Sequence, residues 1–258
     1  MVKAMPFANN QGVRIHYKVE GKGPSLVLHH GLMSSLQSWY YRGYVDPLKK
    51  DYQLVLLDAR GHGDSDKPHD PKAYELKLLV DDIVAVLDDL KVHKAHFFGY
   101  SMGGRIGFGV ARYSPKRFHS FIIGGAHPYK LNQDEHDAFL QLFKQGMDAV
   151  IMAMEDAGLK MTPKMKARWA ANDSEALAAF WSASQWSELE DVLPTMTMPC
   201  LVFVGEADSL YGGAKECVKS MSNATFISFP GLGHFEVGSQ SSLMLPHITK
   251  FLAKVIQT

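Results

Sequence analysis

The stretch Ala95-His96-Phe97-Phe98-Gly99-Tyr100-Ser101-Met102-Gly103-Gly104 decides the fold. An apolar run ends at Phe98, a helix opens right after Ser101 and runs to about Tyr113, and a G-x-S-x-G sequence joins them. So tight a strand-to-helix turn puts the serine in a strained backbone conformation. The residues two before and two after it lie against neighbouring elements, where a Cβ would clash. Glycine at 99 and 103 satisfies both positions. The Ser101 hydroxyl then projects at the carboxyl end of the strand, and the N–H groups of the helix N-terminus point at any oxyanion that forms beside it.

Short β-rich runs flank this segment at residues 15–19, 26–28, 54–57, 121–123, 201–204 and 225–229. All but the first are continuous rather than alternating, as strands covered on both faces by helices are, so a mostly parallel sheet is implied. The first run alternates, with Ile15, Tyr17 and Val19 on one face and Arg14, His16 and Lys18 on the other. It reads as an antiparallel edge hairpin closed by Gly21-Lys22-Gly23-Pro24. Helical periodicity covers 74–90. Leu76, Leu79, Val80, Ile83, Val84, Val86 and Leu87 form its buried face, and Asp81, Asp82, Asp88 and Asp89 a solvated one. A last helix is expected from about 242 to 255.

Between 126 and 193 the strand–helix rhythm stops. This stretch carries Phe139, Leu142, Phe143, Met147, Val150, Ile151 and Met154 at helical spacing, then Trp169, Phe180, Trp181 and Trp186. It reads as an all-helical insertion whose apolar stripes bury against the body of the domain. Its methionines Met147, Met152, Met154, Met161 and Met165 suit an adaptable apolar surface. Phe139, Phe143, Met147, Met154, Trp181 and Trp186, with Met33 from the body, are candidate lining residues for a neutral, partly apolar acyl group of short to medium length. No Arg or Lys is obviously placed to hold a substrate carboxylate, and Arg105 reads as facing neighbouring structure. The expected division is a catalytic body of 1–125 plus 194–258 and a helical cap of 126–193.

Serine needs a base, and the base an orienting acid, in the chain order Ser, Asp/Glu, His. Gly205-Glu206-Ala207-Asp208 follows the run at 201–204, and Gly231-Leu232-Gly233-His234 follows the run at 225–229. Both sit past the carboxyl ends of strands, where open α/β sheets assemble ligand sites. Asp208 is preferred to Glu206, which stands nearer the strand end and reads as supporting the turn. Ser101, Asp208 and His234 are therefore the candidate catalytic residues. The adjacent pair His29-His30 has no carboxylate at ligand spacing, so no metal is expected.

The chain has 258 residues, with 27 Lys+Arg against 27 Asp+Glu. Zero net charge and a pI near 7.2 remove the electrostatic attraction used by proteins that bind nucleic acid or anionic membranes. Cys200 and Cys217 form neither a CxxC pair nor a metal cluster, which suggests a reducing compartment. The first six residues lack a signal-peptide pattern, and no apolar run reaches bilayer-spanning length. A cytoplasmic protein, monomeric or homodimeric, is expected.

With these pieces assembled, the chain resembles the α/β-hydrolase superfamily over essentially its whole length. The resemblance is carried by His30-Gly31 with Trp39, the loop from Asp58 to Pro68 with its Gly61-His62-Gly63-Asp64-Ser65, the segment Gly99-Tyr100-Ser101-Met102-Gly103, and the loops ending at Asp208 and His234. It implies an eight-stranded, mostly parallel sheet with a helical cap after the sixth strand. It also implies an oxyanion hole from the backbone N–H groups of Leu32 and Met102, and no cofactor. The loop from Asp58 to Pro68 is read as structural, with Arg60 and Asp64 bonding locally. Small esterases, enol-lactonases, acyl-homoserine lactonases, cofactor-free haloperoxidases and C–C bond hydrolases are the most similar groups. Serine at 101 argues against dehalogenases and epoxide hydrolases, which carry aspartate there. The implied activity is hydrolysis of a carboxylic ester through an acyl-enzyme. The alternatives are a lactonase, a perhydrolase or haloperoxidase, a C–C bond hydrolase, or a ligand receptor that retains the three residues.

Overall fold

The computed structural model describes residues 6–256, apart from the side chains at 187, 188 and 256. The N-terminal residues 1–5, read above for a targeting signal, lie outside the described residues. Eight strands form one sheet: β1 (Phe7–Asn10), β2 (Val13–Glu20), β3 (Ser25–His29), β4 (Gln53–Leu57), β5 (Ala95–Tyr100), β6 (Phe118–Gly124), β7 (Cys200–Gly205) and β8 (Ala224–Phe229). Their spatial order is β1-β2-β4-β3-β5-β6-β7-β8. From β4 to β8 every neighbouring pair is parallel, while β1 with β2 and β2 with β4 are antiparallel. The continuous apolar runs are the central strands, and every residue of β5 and β7 is buried. Side chains alternate across the sheet: Val27, Val55, Phe97 and Val202 enter the core on one face, and Leu28, Leu56, Phe98 and Leu201 the core on the other.

The amino-terminal edge departs from the sequence expectation. The hairpin joins β1 to β2 through Gln11 and Gly12, both at positive φ (52° and 90°), a turn conformation whose twist matches paired strands. The Gly21–Pro24 segment instead carries the chain past β4 to β3. β1 escapes a periodicity reading because it is four residues long and ends in two asparagines. His16, which alternation places on the same face as Arg14 and Lys18, is buried, because its backbone N–H and ring bond to Ser65 and Asp58 in the following loop.

The periodic helix spans Leu76–Asp89, and its acidic face is not uniformly solvated. Asp82 is buried and receives Arg60 through two bonds and Asn10 Nδ2 at 2.7 Å. Only charge spacing was available to sequence reasoning, and spacing does not show which carboxylate a distant loop arginine reaches.

Helices Gln133–Gln145, Met147–Asp156, Pro163–Ala170 and Ser174–Ala183 and the 3-10 segment Ser187–Thr195 fill the interval between β6 and β7. Asn132, Thr162 and Asp173 cap three of them by accepting first-turn N–H bonds. Phe143, Met147, Val150, Ile151, Trp169 and Leu177 pack with Met33 of the body into a small core of their own. Cys200 and Cys217 are free and buried. Among the described residues no helix is long and apolar enough to cross a membrane.

Candidate active site

Ser101 sits between β5 and the Met102–Tyr113 helix at φ 57° and ψ −116°, a conformation L-residues avoid unless their surroundings enforce it. The enforcement is visible at the flanking glycines. A Cβ on Gly99 would stand 2.2 Å from the Gly103 carbonyl oxygen, and one on Gly103 would stand 2.2 Å from the His29 carbonyl oxygen on β3.

Ser101 Oγ lies 2.9 Å from His234 Nε2, and His234 Nδ1 lies 2.7 Å from Asp208 Oδ2. Three strands deliver these residues: β5 ends at the serine, β7 is followed by Asp208, and β8 by His234. The β7 and β8 loops are fastened together, since Ala207 N donates to the Leu232 carbonyl at 3.0 Å. Asp208 is buried and its second oxygen accepts from Leu210 N at 2.9 Å, which fixes the carboxylate against the imidazole. Tyr100 Oη donates to the His234 carbonyl. Glu206 instead accepts from Ser228 Oγ at the exposed rim.

The loop after β3 passes over the serine: a Cβ on Gly31 would stand 3.8 Å from Ser101 Oγ. Asp58 shapes that loop by accepting from Leu36 N at 2.7 Å, from His16 Nδ1 at 2.7 Å and from Asp64 N at 3.0 Å. His30 Nε2 accepts from Ala59 N at 3.0 Å. Among the described residues, the N–H groups of Leu32 and Met102 meet no hydrogen-bond acceptor. His16, Asp58 and Asp64 bring ligand-type atoms within 4.8 Å of one another, but the Asp58 oxygens are occupied by the loop bonds just given. That arrangement serves as a clamp rather than an open metal site.

A cavity of about 380 Å³ opens over Ser101 and His234. Met33, Phe139, Met154, Trp181 and Trp186 line it. Phe143 and Met147 do not; they face inward within the insertion, where both are buried. Helical spacing places apolar residues on one stripe without saying which of them face a void. Arg105 and His127 also line the cavity. Burial pushes the His127 imidazole down to about 4, helped by the Arg105 charge, so it is neutral near pH 7. Arg105 stands four residues after Ser101, and that i to i+4 spacing is the one sequence signal that could have found it.

A family model for the alpha/beta hydrolase fold matches residues 24–196. The chain belongs to the α/β-hydrolase fold family. This α/β hydrolase is 26% identical over 275 aligned residues, 95% of this chain and 97% of the relative, to a Bacillus subtilis protein provisionally assigned as 2-succinyl-6-hydroxy-2,4-cyclohexadiene-1-carboxylate synthase. It is 26% identical over 211 residues, 77% of each chain, to 3-oxoadipate enol-lactonase 2 of Acinetobacter baylyi. The crystal structure of the enol-lactonase from Burkholderia xenovorans superposes with a TM-score of 0.85 at 24% identity, covering 96% of this chain and 100% of that one.

Proposed function

We propose that this α/β hydrolase cleaves carboxylic esters of short to medium acyl chain through a covalent acyl-enzyme on Ser101. The supporting observation is the unbroken series of bonds from Ser101 Oγ to His234 Nε2 at 2.9 Å and from His234 Nδ1 to Asp208 Oδ2 at 2.7 Å. His234 accepts the serine proton as Oγ attacks the ester carbonyl. Asp208 holds the ring and stabilises its cation. The Leu32 and Met102 N–H groups, which meet no other acceptor among the described residues, receive the negative charge that develops on the carbonyl oxygen. The proton on His234 then passes to the leaving alkoxide, and a water activated by the same ring hydrolyses the acyl-enzyme. No step calls for a cofactor. Residues 126–193 act as a cap over the body formed by 1–125 and 194–258, closing the cavity with Phe139, Met154, Trp181 and Trp186.

A lactone is a second reading, favoured by the named activity of the Acinetobacter relative. A cyclic ester needs the same nucleophile, base and oxyanion donors. Turnover of p-nitrophenyl esters from C2 to C12 alongside an acyl-homoserine lactone and an enol-lactone, with Ser101→Ala as the blank, tests both. The proposal expects turnover of at least one class that the blank lacks; equal rates for the two proteins would overturn it.

A further inference from the structure

Arg60 and Arg105 are both buried, at 3% and 8% exposure, and the fold treats them in opposite ways. Arg60 grips Asp82 through Nε to Oδ2 at 3.0 Å and Nη2 to Oδ1 at 2.6 Å, so its charge is neutralised where it is buried. Among the described residues, Arg105 meets no carboxylate. Its Nη1 donates to the Ser184 carbonyl at 3.1 Å and its Nη2 to the Tyr129 carbonyl at 3.4 Å. The Trp186 ring lies 5.4 Å from its Cζ, and its Nε has no partner among the described residues. Burial lowers its pKa only to about 10, so it remains a cation near neutral pH. A buried cation with no counterion is costly, and a protein that holds one inside its reaction cavity has a use for it.

The position of Arg105 defines the use. Its backbone N–H bonds to the Ser101 carbonyl at 2.9 Å, so it stands one helical turn beyond the serine and lines the same cavity. Two further unpartnered polar atoms, His127 Nδ1 and Trp186 Nε1, belong to residues of the same wall. The other charged residues at the cavity are committed or exposed. Asp208 holds His234, Arg42 lies over the Tyr100 ring at 6.0 Å, and Glu135 is in the exposed first turn of the Gln133–Gln145 helix.

We infer that the substrate is an anion: an ester or lactone whose acid portion carries a free carboxylate, received by the Arg105 guanidinium while Ser101 faces the scissile carbonyl. This rests on the ester reading above and replaces the neutral acyl group expected from the cap composition. A guanidinium presents a planar fork that matches a carboxylate.

The test compares monoethyl esters of succinic, glutaric and adipic acids with ethyl esters of the matching ω-amides, which have the same shape without the charge. For at least one chain length kcat/KM favours the acid by about 30-fold or more. In Arg105→Gln the ratio falls to within about threefold of unity, and Arg105→Lys recovers part of it. Equal rates for acid and amide in the unaltered protein, or a preference that survives Arg105→Gln, would overturn the inference. If Arg105→Gln does not fold, the comparison in the unaltered protein still decides. Calorimetry of glutarate against glutaramate on Ser101→Ala separates the two layers. Selective glutarate binding without turnover of any ester sinks the ester reading and keeps the anion site; ester turnover without selective binding does the reverse.

Discussion

His234 Nε2 stands 2.9 Å from Ser101 Oγ across 133 residues of sequence. Its opposite ring nitrogen is held by Asp208 at 2.7 Å. The acid therefore sets which nitrogen faces the serine. Asp208→Asn keeps the shape and loses that control. Its kcat on any turned-over ester falls by roughly 10²- to 10⁴-fold with melting temperature little changed. Steady-state kinetics beside a thermal melt checks this, and retention of full activity would remove Asp208 from the mechanism.

Gly103 is pinned between the serine turn and β3. A Cβ there would stand 2.2 Å from the His29 carbonyl oxygen, and a central strand has little room to retreat. Gly103→Ala costs about 2–3 kcal/mol in urea unfolding. Gly212→Ala, where nothing lies within 4 Å of the added carbon, stays within about 0.5 kcal/mol.

Asp82→Asn strands the Arg60 guanidinium inside the protein and costs about 3–5 kcal/mol. Asp81→Asn, one position earlier, removes only the partly exposed partner of a half-exposed Lys77 and costs no more than about 1 kcal/mol. Urea titration of the two variants measures the contrast, which disappears if Asp82 is solvated as the helical pattern alone implies.

The contrast between those neighbouring aspartates marks what the sequence reveals and what it conceals. Apolar runs report burial on both sheet faces, so β3 to β7 are legible, and the serine turn is legible because only glycine fits at 99 and 103. Asp208 and His234 are legible as residues just beyond strand ends. Hidden are relationships made by a third element: Arg60 reaching Asp82, the 58–65 loop burying His16, and Ser184 and Trp186 of the 126–193 insertion packing on Arg105. Periodicity also cannot divide Phe139, which lines the cavity, from Phe143, which packs within the insertion.

Acid weakens the fold through its buried histidines. Burial pushes His29, His62 and His96 each down to about 4. Between that value and the ordinary 6.5 the unfolded chain binds protons that the folded chain refuses. Stability is therefore full above about pH 6.5 and falls as pH drops towards 4. Each such histidine contributes up to about 1.4 kcal/mol per pH unit within that window. Urea unfolding at a series of pH values gives the slope, and His62→Gln flattens it by about one proton; an unchanged slope would show that His62 is protonated in the folded state.

The acyl-enzyme is the central claim, and acid-quench mass spectrometry of the protein turning over p-nitrophenyl butyrate tests it most directly. The account predicts one butyryl group per chain, carried on the peptide containing Ser101 and absent from Ser101→Ala. Turnover with no adduct on Ser101, or with the adduct elsewhere, would contradict it.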